Sequence, residues 1–459
     1  MPRAVCGPQD RVETVQGQTT LAERFSSNTK AFSCNLDLIG QFEGEGAGAD
    51  VEAFDSCAYF STAPNPKMKH PGVAVLEVSD SRRPKASTYL ASPAMLNAHE
   101  SLEIAPQRRL LVASTVAADG VATFDVYDIA ECRQPVLKSS TRFPEGIVSH
   151  AGRFSADGLT FYGARWEAGR PLVFALDTSD PTRPRTIATW TPPPDKKDWM
   201  THSAVIDRAG RRVYVALKRV DEDTRKSAVP NGLAIFDAVD VQARRGGAQF
   251  RLITTLFWDD THGAEGLELV RIKDRDYLIF SDNLGALGNE RLASACKSGR
   301  PAHGLARIID VTDDAQPRVV AKLVPEVAEP TNCQKSLHDP TQYGSYGSFA
   351  CSVDDEQDGK LLACGNFEAG VRVFDIREPE RPREVAYYKP PARRTQDRPG
   401  SLFRFSAEPG QDYTADSVLV APKFRENATE IWFTSADNGF QIVRFSDQFR
   451  ASNRNLFKE

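Results

Sequence analysis

An eight-residue phrase recurs along the chain, and this repeat limits the available folds more than any other feature of the sequence. Its fifth residue is acidic in six copies and is Arg444 in the last. The seven copies are VAVLEVSD (73–80), VATFDVYD (121–128), VFALDTSD (173–180), LAIFDAVD (233–240), ARIIDVTD (306–313), VRVFDIRE (371–378) and FQIVRFSD (440–447). Apolar runs of this length that end in turn residues are typical of β-strands. The repeat therefore predicts seven similar β units.

Each unit contains more than the strand in the phrase. Five copies are followed by Arg-Pro or Gln-Pro and then by another β-like run, and proline suits the entry of an outer edge strand. These prolines are Pro84, Pro135, Pro184, Pro317 and Pro382. Two further strand-like runs precede each copy, as in HESLEIAP followed by RLLVAS. Four-stranded units repeated around an axis describe a β-propeller, so we predict an all-β fold, a seven-bladed β-propeller.

The two ends of the chain complement each other. No proline-led fourth strand follows the last copy, whereas CNLDLIGQFEG (34–44) reads as a fourth strand without its first three. We expect this N-terminal strand to complete the last blade and close the ring, which removes two exposed sheet edges. The predicted organisation is an N-terminal arm (1–33), one propeller (34–447) and a C-terminal tail (448–459).

The phrases VFALDTSDPTRPR and VRVFDIREPERPREVAYY resemble LVIVD repeats, which occur in bacterial β-propellers that are mostly secreted or surface-associated. The resemblance covers residues 34–447 and implies the seven-bladed architecture. It implies no particular reaction, because most of the family has no assigned activity. The sequence departs from the repeat in blade four, where VQARRGGAQF replaces the proline turn, and in blade five, where residues 284–302 are inserted.

Composition argues against two classes of partner. No apolar stretch approaches the roughly 18–20 residues of a membrane-spanning helix, and the mean hydropathy is -0.41. The 57 basic and 62 acidic residues are spread along the chain and give a net charge of -5, so nucleic-acid binding is not expected. The sequence has no phosphate-binding or dinucleotide-binding glycine motif, and we expect no nucleotide cofactor.

The eight cysteines favour disulfides, because none has C-x-x-C or zinc-finger spacing. Cys351 and Cys364 flank a turn-like DDEQDG and make the best local pair, and Cys34 with Cys57 is a second candidate. By elimination, Cys6 would pair with Cys132 and Cys296 with Cys333. Disulfides would place the protein outside the cytoplasm, in the periplasm or secreted, with its signal peptide absent from this sequence. Free thiols in a cytosolic protein are the alternative.

The most informative pattern lies at the start of each unit's first strand. When the units are aligned by the downstream phrase, one position collects His99, His150, His202, His262, Tyr346 and Tyr413, with Ala49 in the first unit. The chain has only seven histidines, so four at one repeat position is not a scattered distribution. First strands line the channel of a propeller, and we therefore expect these residues to converge at one mouth.

Acidic residues stand next to this position, among them Asp50, Glu52, Glu100, Glu103 and Glu265. Such a ring suits a divalent transition metal, Zn, Fe or Cu, held by the four histidines, with carboxylates as supporting partners. Without a metal, the histidines would act as general acids and bases, and Tyr346 and Tyr413 as proton donors. A third interpretation is structural, because propeller repeats of the WD type carry a histidine per blade in a scaffold hydrogen-bond network.

Two functions follow from these alternatives. The first is an extracytoplasmic enzyme that acts on a small organic molecule at the channel mouth, with His99, His150, His202, His262, Tyr346, Tyr413 and Glu265 as its catalytic residues. Its reaction class stays open between lyase, isomerase or cyclase, hydrolase and oxidoreductase. The second is a non-catalytic secreted or surface propeller that binds a protein or glycan through its loops.

Overall fold

The computed structural model is a ring of seven antiparallel sheets, each forming one blade. It describes residues 1–20, 30–117, 119–143, 145–166, 171–219, 230–284, 288–333, 346–391, 398–402 and 416–457. The seven-bladed β-propeller predicted from the repeat is confirmed. None of the helices in these segments has the length and apolar character needed to cross a bilayer.

The strands follow the predicted order. Two N-terminal strands, β1 (Phe32–Cys34) and β2 (Leu36–Phe42), precede the blades. Blade one contains β3 (Val51–Phe54), β4 (Cys57–Phe60), β5 (Val73–Glu77) and β6 (Lys85–Leu90), and blade two contains β7 (Glu103–Ala105), β8 (Leu110–Val116), β9 (Ala122–Asp128) and β10 (Val136–Phe143). Blade three contains β11 (Ala151–Phe154), β12 (Thr160–Ala164), β13 (Val173–Asp177) and β14 (Arg185–Trp190). Blade four contains β15 (Trp199–Ile206), β16 (Arg212–Arg219), β17 (Asn231–Asp237) and β18 (Arg251–Trp258). Blade five contains β19 (His262–Ile272), β20 (Arg275–Leu284), β21 (Ala306–Asp310) and β22 (Arg318–Leu323). Blade six contains β23 (Ala350–Val353), β24 (Leu361–Gly365), β25 (Val371–Asp375) and β26 (Arg383–Lys389). Blade seven contains β27 (Lys423–Arg425), β28 (Glu430–Ser435) and β29 (Gly439–Phe445).

The helices of the described segments lie where the repeat is interrupted. Helix α1 (Val239–Gln242) replaces the proline turn of blade four, α2 (Gly288–Ser298) lies in the insertion of blade five, and α3 (Asp447–Ser452) follows the last strand. Single 3-10 turns span Met95–Asn97, Pro106–Arg108, Pro194–Lys196, Glu326–Ala328, Pro330–Asn332 and Arg454–Leu456.

Apolar side chains of neighbouring blades pack face to face around the ring. One cluster joins blades one and two, for example, with Tyr59 and Val75 against Leu111 and Ala113. The first strands β3, β7, β11, β15, β19, β23 and β27 contact one another in turn and line the central channel. Residues at the starts of these strands therefore converge at one mouth.

The ring closes as expected. Strand β2 pairs with β29, with Leu36 opposite Phe445 and Phe42 opposite Phe440, and so supplies the fourth strand of blade seven. Strand β1 was not predicted, and it pairs with β26 as a fifth strand of blade six. Asn35 connects the two in a left-handed conformation, with φ of 61°, which asparagine tolerates better than most residues.

The charged residue of the repeat phrase has a structural role. In five blades it lies directly opposite the first residue of the outer strand, and that residue is basic. The ion pairs are Glu77–Lys85, Asp177–Arg185, Asp237–Arg251, Asp310–Arg318 and Asp375–Arg383, at 2.7–3.2 Å. In the last blade the signs are reversed, and Arg444 pairs with Glu430 of the neighbouring strand. The phrase thus marks a cross-strand charge pair as well as a strand.

The N-terminal arm is fixed to blade six through buried charges. The carboxylate of Glu13, almost fully buried, accepts a hydrogen bond from Arg372 Nη2 at 2.7 Å and lies 3.4 Å from Lys389 Nζ. Arg372 also pairs with Glu384, which accepts a hydrogen bond from Gln16 Nε2 at 2.8 Å. Because all of these charges are buried, their mutual pairing is necessary for the arm to dock.

All eight cysteines form disulfides, and the predicted pairs Cys351–Cys364 and Cys296–Cys333 are confirmed. The other two predicted pairs, Cys34–Cys57 and Cys6–Cys132, are wrong. Cys34 ends β1 on the edge of blade six, where the arm brings Cys6 next to it. Cys57 begins β4 in blade one and bonds Cys132, which follows β9 in the adjacent blade. Four disulfides suggest an oxidising, extracytoplasmic environment.

Peptide mapping without reduction tests this connectivity. We expect one linked pair of peptides that contains Cys6 and Cys34 and another that contains Cys57 and Cys132. Mass spectrometry of the digest, repeated after reduction as a control, identifies both. A peptide linking Cys34 to Cys57 would contradict the placement of β1 on blade six.

The buried charges that hold the arm predict a large effect of Glu13→Gln, an isosteric change, on the stability of the protein. Glu13→Gln removes the charge of the one carboxylate that faces both Arg372 and Lys389, so we expect the free energy of unfolding to fall by about 3 kcal/mol in denaturant titrations. The matched control is Asp119→Asn, which breaks an exposed pair with Arg142 and is expected to leave stability essentially unchanged. Equal effects of the two variants would contradict the docking of the arm through Glu13.

Candidate functional site

The starts of the first strands of blades two to four bring three histidines together at one mouth of the channel. His99 lies in the turn before β7, His150 directly precedes β11, and His202 lies inside β15. The ring centroids of His99 and His150 are 5.0 Å apart, and those of His150 and His202 are 4.2 Å apart. The predicted convergence of these three residues is therefore present in the structure.

Local backbone irregularities aim these side chains. His99 has a left-handed conformation, with φ of 51°, and its carbonyl accepts a hydrogen bond from Ser61 Oγ at 2.9 Å. His202 lies where the pairing register of β15 with β16 shifts between Thr201 and Ala204, as in a β-bulge. Strained residues and bulges are frequent at functional sites, where they redirect a side chain.

Blade five contributes a carboxylate through a similar shift in strand register. The register of β19 with β20 shifts between Ala264 and Leu267, which gives Glu265 the position that His202 has in blade four. Ser203 Oγ donates a hydrogen bond to the backbone carbonyl of Glu265 and connects the two bulges. His262 begins β19 three residues earlier. The side chain of His262 and the whole of Tyr413 lie outside the described residues.

Glu100 is the centre of the cluster. Its carboxylate oxygens lie 3.4 Å from His99 Nδ1 and 3.6 Å from the Nε2 atoms of both His150 and His202. The second carboxylate, Glu265, lies 3.1 Å from His202 Nε2. Two overlapping sets of residues share Glu100, and the ligand atoms within each set are within 4.8 Å of one another: His99, Glu100, His150; and Glu100, His202, Glu265.

These separations match those around a small metal ion. Nitrogen and oxygen ligands bind Zn²⁺ at about 2.0–2.1 Å, so that ligand atoms of a tetrahedral site are about 3.3 Å apart. The measured separations of 3.1–3.6 Å need only small side-chain movements to reach that value. Histidine nitrogen and carboxylate oxygen are donors that Zn, Fe and Cu all accept.

Burial puts these groups in the protonation states that bind cations. It lowers the pKa of His202 well below its usual value, an effect that His150 reinforces, and it also lowers the pKa of His99. For Glu100 burial acts in the opposite direction, but His150, His99 and His202 together bring the pKa of the carboxyl well below its usual value. The neutral imidazole is the form that ligates a metal, and burial favours this form in His99 and His202.

Two histidines of the cluster have a buried nitrogen without a hydrogen-bond partner among the described residues, Nδ1 of His99 and Nδ1 of His202. Nδ1 of His99 is the atom that faces Glu100, so it has capacity to bind a ligand there. His202 faces Glu100 and Glu265 through its other nitrogen, Nε2.

Second strands add two residues that the repeat alignment missed. Trp166 follows β12 and packs against His150 and His202, with centroid distances of 5.3 and 4.8 Å. Lys218, near the end of β16, places its ammonium 3.2 Å from the centroid of the Trp166 ring. Burial lowers the pKa of Lys218 to about 7, against the opposing effect of Glu265. The signal available in the sequence was that second strands end at the mouth where first strands begin.

Two cavities meet at the cluster. An outer one of about 250 Å³ is lined by His99, His150, Arg165 and Trp166, among others. An inner one of about 80 Å³ continues down the channel past Glu100, His202 and Glu265 to Glu103 and Arg153. The outer cavity is large enough for a small organic molecule in contact with two of the histidines and with the indole.

Three other candidate residues of the sequence, Tyr346, His303 and His70, have surroundings that differ from those of the histidine cluster. Tyr346 is buried, its hydroxyl donates a hydrogen bond to the carbonyl of Thr19 at 2.9 Å, and its ring packs on His303 at 5.2 Å. These contacts do not connect Tyr346 to the histidine cluster. Burial lowers the pKa of His303 to about 3. His70 is exposed, pairs with Glu45 and stacks on Tyr89.

Comparisons with known proteins support the propeller fold and give no information about the chemistry of the site. No protein-family model and no curated protein sequence matches the chain. Among solved structures, hydrazine synthase of Kuenenia stuttgartiensis is 12% identical, with a TM-score of 0.51 over 89% of this chain and 96% of that one. A candidate 6-phosphogluconolactonase of Bacteroides uniformis is 12% identical, with a TM-score of 0.53 over 86% and 93%. At such identities the likeness shows the propeller fold alone.

Proposed function

We propose that this protein is an extracytoplasmic, metal-dependent enzyme that acts on a small organic molecule at the histidine-bearing mouth of the channel. The observation that carries the proposal is the position of Glu100, whose carboxylate lies within 3.4–3.6 Å of three histidines. His99, His150, His202 and Glu100 would hold the ion, and Glu265 would either complete its coordination or accept a proton from substrate. The four disulfides support a periplasmic or secreted location.

The metal-dependent form is favoured over metal-free acid-base catalysis. Burial keeps His202 neutral, and the hydroxyl of Tyr346 already donates to Thr19, so neither is an efficient proton donor at neutral pH. A bound Zn, Fe or Cu ion would supply Lewis-acid or redox chemistry. Hydrolytic and oxidative reactions are therefore the reaction classes we favour.

The protein groups around the outer cavity would bind and orient the substrate. Trp166 offers an apolar wall next to His150, and Arg165 lines the same cavity. Lys218 packs on the indole and would hold it in place. The cavity suits a small molecule with an apolar part and one polar group. The small volume of the cavity, about 250 Å³, excludes polymeric substrates from direct contact with the histidines.

Metal binding is the first test. Protein purified without an affinity tag should take up about one Zn²⁺, Fe²⁺ or Cu²⁺ ion per chain, as measured by elemental analysis and calorimetry. His202→Ala and Glu100→Gln should each weaken the affinity for the ion at least about 100-fold, because each removes a ligand. His70→Ala is the matched control, since this histidine is exposed, and should bind like the unmodified protein.

The same experiment distinguishes a scaffold role. If no ion binds while His202→Ala and His150→Ala lower the melting temperature by several degrees, the histidines serve the fold and the proposal fails. Circular dichroism of each variant shows whether a loss of binding reflects unfolding.

Turnover is the second test. Metal-loaded protein should convert at least one member of a panel of small esters, lactones, amines and thiols, monitored by product formation and by oxygen uptake. Lys218→Met should retain the ion but lower kcat/KM about 10- to 100-fold, because it removes the cation that packs on Trp166 and positions this wall of the substrate cavity. The control is Arg219→Met, one residue further along the same strand, because Arg219 is exposed and pairs with Asp198. Equal activity of the metal-free and metal-loaded protein would refute metal dependence.

A further inference from the structure

The opposite mouth of the channel contains a cavity of about 850 Å³. It is formed by the ends of the first strands and by the hairpins that lead to the second strands. Its inner end is lined by Glu52, Glu103, Arg153 and Glu268, and the same Glu103 and Arg153 also line the narrow part of the channel. The cavity is thus separate from the outer cavity at the histidines but lies on the same axis.

The charges at the inner end do not balance. Three carboxylates, those of the buried Glu103 and Glu268 and of the half-buried Glu52, face two cations. Lys423 Nζ donates a hydrogen bond to Glu52 at 2.6 Å, and Arg153 donates one to Glu268. Glu103 is the carboxylate left over.

Glu103 lacks a strong partner. Its side chain is nine-tenths buried, and the nearest cationic atom, Arg153 Nε, is 3.9 Å away. Its carboxylate makes no hydrogen bond with any described residue. An ionised carboxylate in this state is costly, and a cation supplied from outside the protein would relieve the cost.

Protonation is the alternative way to remove that charge. Burial, partly offset by Arg153, raises the pKa of Glu103 to about 8, and burial raises that of Glu268 to about 7. The charged groups around Glu103 are Glu52 on β3, Arg153 on β11, Glu268 on β19 and Lys423 on β27. A ligand that brings a positive charge would replace the proton.

We propose that this cavity binds a small organic cation, a primary ammonium or a guanidinium group, whose charged end pairs with Glu103. Apolar side chains along the walls, including Ile104, Phe154, Val205 and Leu269, would contact the rest of the ligand. Arg208, Arg211 and Arg212 lie on the hairpin side of the cavity and disfavour a polycation. The fitting ligand has one positive end and a neutral or anionic tail. This site does not depend on the function proposed for the histidine mouth.

Calorimetry with n-butylamine tests the proposal, with n-butanol as the uncharged control ligand. We expect the ammonium to bind and the alcohol not to bind. Glu103→Gln should weaken binding at least about tenfold, because it removes the charge and retains the shape. Asp276→Asn changes an exposed carboxylate on the rim of the same cavity; it is the matched control and should bind like the unmodified protein.

Proton linkage gives a second readout. Below the pKa of Glu103, about 8, binding of the ammonium must displace a proton. The affinity should therefore rise between pH 6 and pH 8, and the binding enthalpy at pH 6.5 should differ between buffers of different ionisation enthalpy. Glu103→Gln should remove both effects.

The folding of the variant is verified through its own pH dependence. A carboxyl whose pKa is raised in the folded state contributes stability at low pH that is lost as the pH rises through the folded value. Glu103→Gln should therefore melt at a higher temperature than the unmodified protein at pH 9 and show little difference at pH 4. If butylammonium does not bind, if Glu103→Gln binds it equally well, or if Ca²⁺ binds in its place, the proposal is overturned.

Discussion

Closure of the ring by β2 is the constraint on which the rest of the structure depends. The pairing of Leu36–Phe42 with the last strand turns seven separate sheets into one cyclic stack in which each blade packs on two neighbours. Only in a closed ring do all first strands face one axis. The histidine cluster combines residues from blades two, three and four with Glu265 from blade five, so its geometry requires the ring and not any single blade. The arm reinforces the closure, since the Cys6–Cys34 bond joins it to the strand just before β2.

The repeat made most of the fold predictable because its elements are local. A strand, a turn and an outer strand lie within about twenty residues, and the cross-strand pair Asp177–Arg185 can be read from the sequence once the register is assumed. Contacts between distant segments lack such a signal. Nothing in the repeat places β1 on blade six, and this is why Cys34 was assigned to Cys57 when it bonds Cys6.

The site was predictable to the extent that it follows the repeat. His99, His150 and His202 were identified because one strand position recurs from blade to blade. The bulges were not, since a register shift of one residue leaves no pattern in a single sequence. As a result Glu265, and not His262, has the position in blade five that His202 has in blade four. Trp166 and Lys218 come from second strands, whose ends carry no repeated residue type to indicate them.

Burial acts on the titratable groups at both mouths of the channel. Burial in the channel penalises charge of either sign, so that it favours neutral imidazoles at one end and a protonated carboxyl at the other. At the histidine mouth, His99 and His202 each have a buried nitrogen without a hydrogen-bond partner among the described residues. At the other mouth, the cation nearest to the Glu103 carboxyl, Arg153 Nε, is 3.9 Å away. A cation from outside would satisfy both ends, but the donors differ. Imidazole nitrogens beside Glu100 suit the proposed transition metal. Glu103 suits an organic cation instead, because the neighbouring carboxylates Glu52 and Glu268 already pair with Lys423 and Arg153.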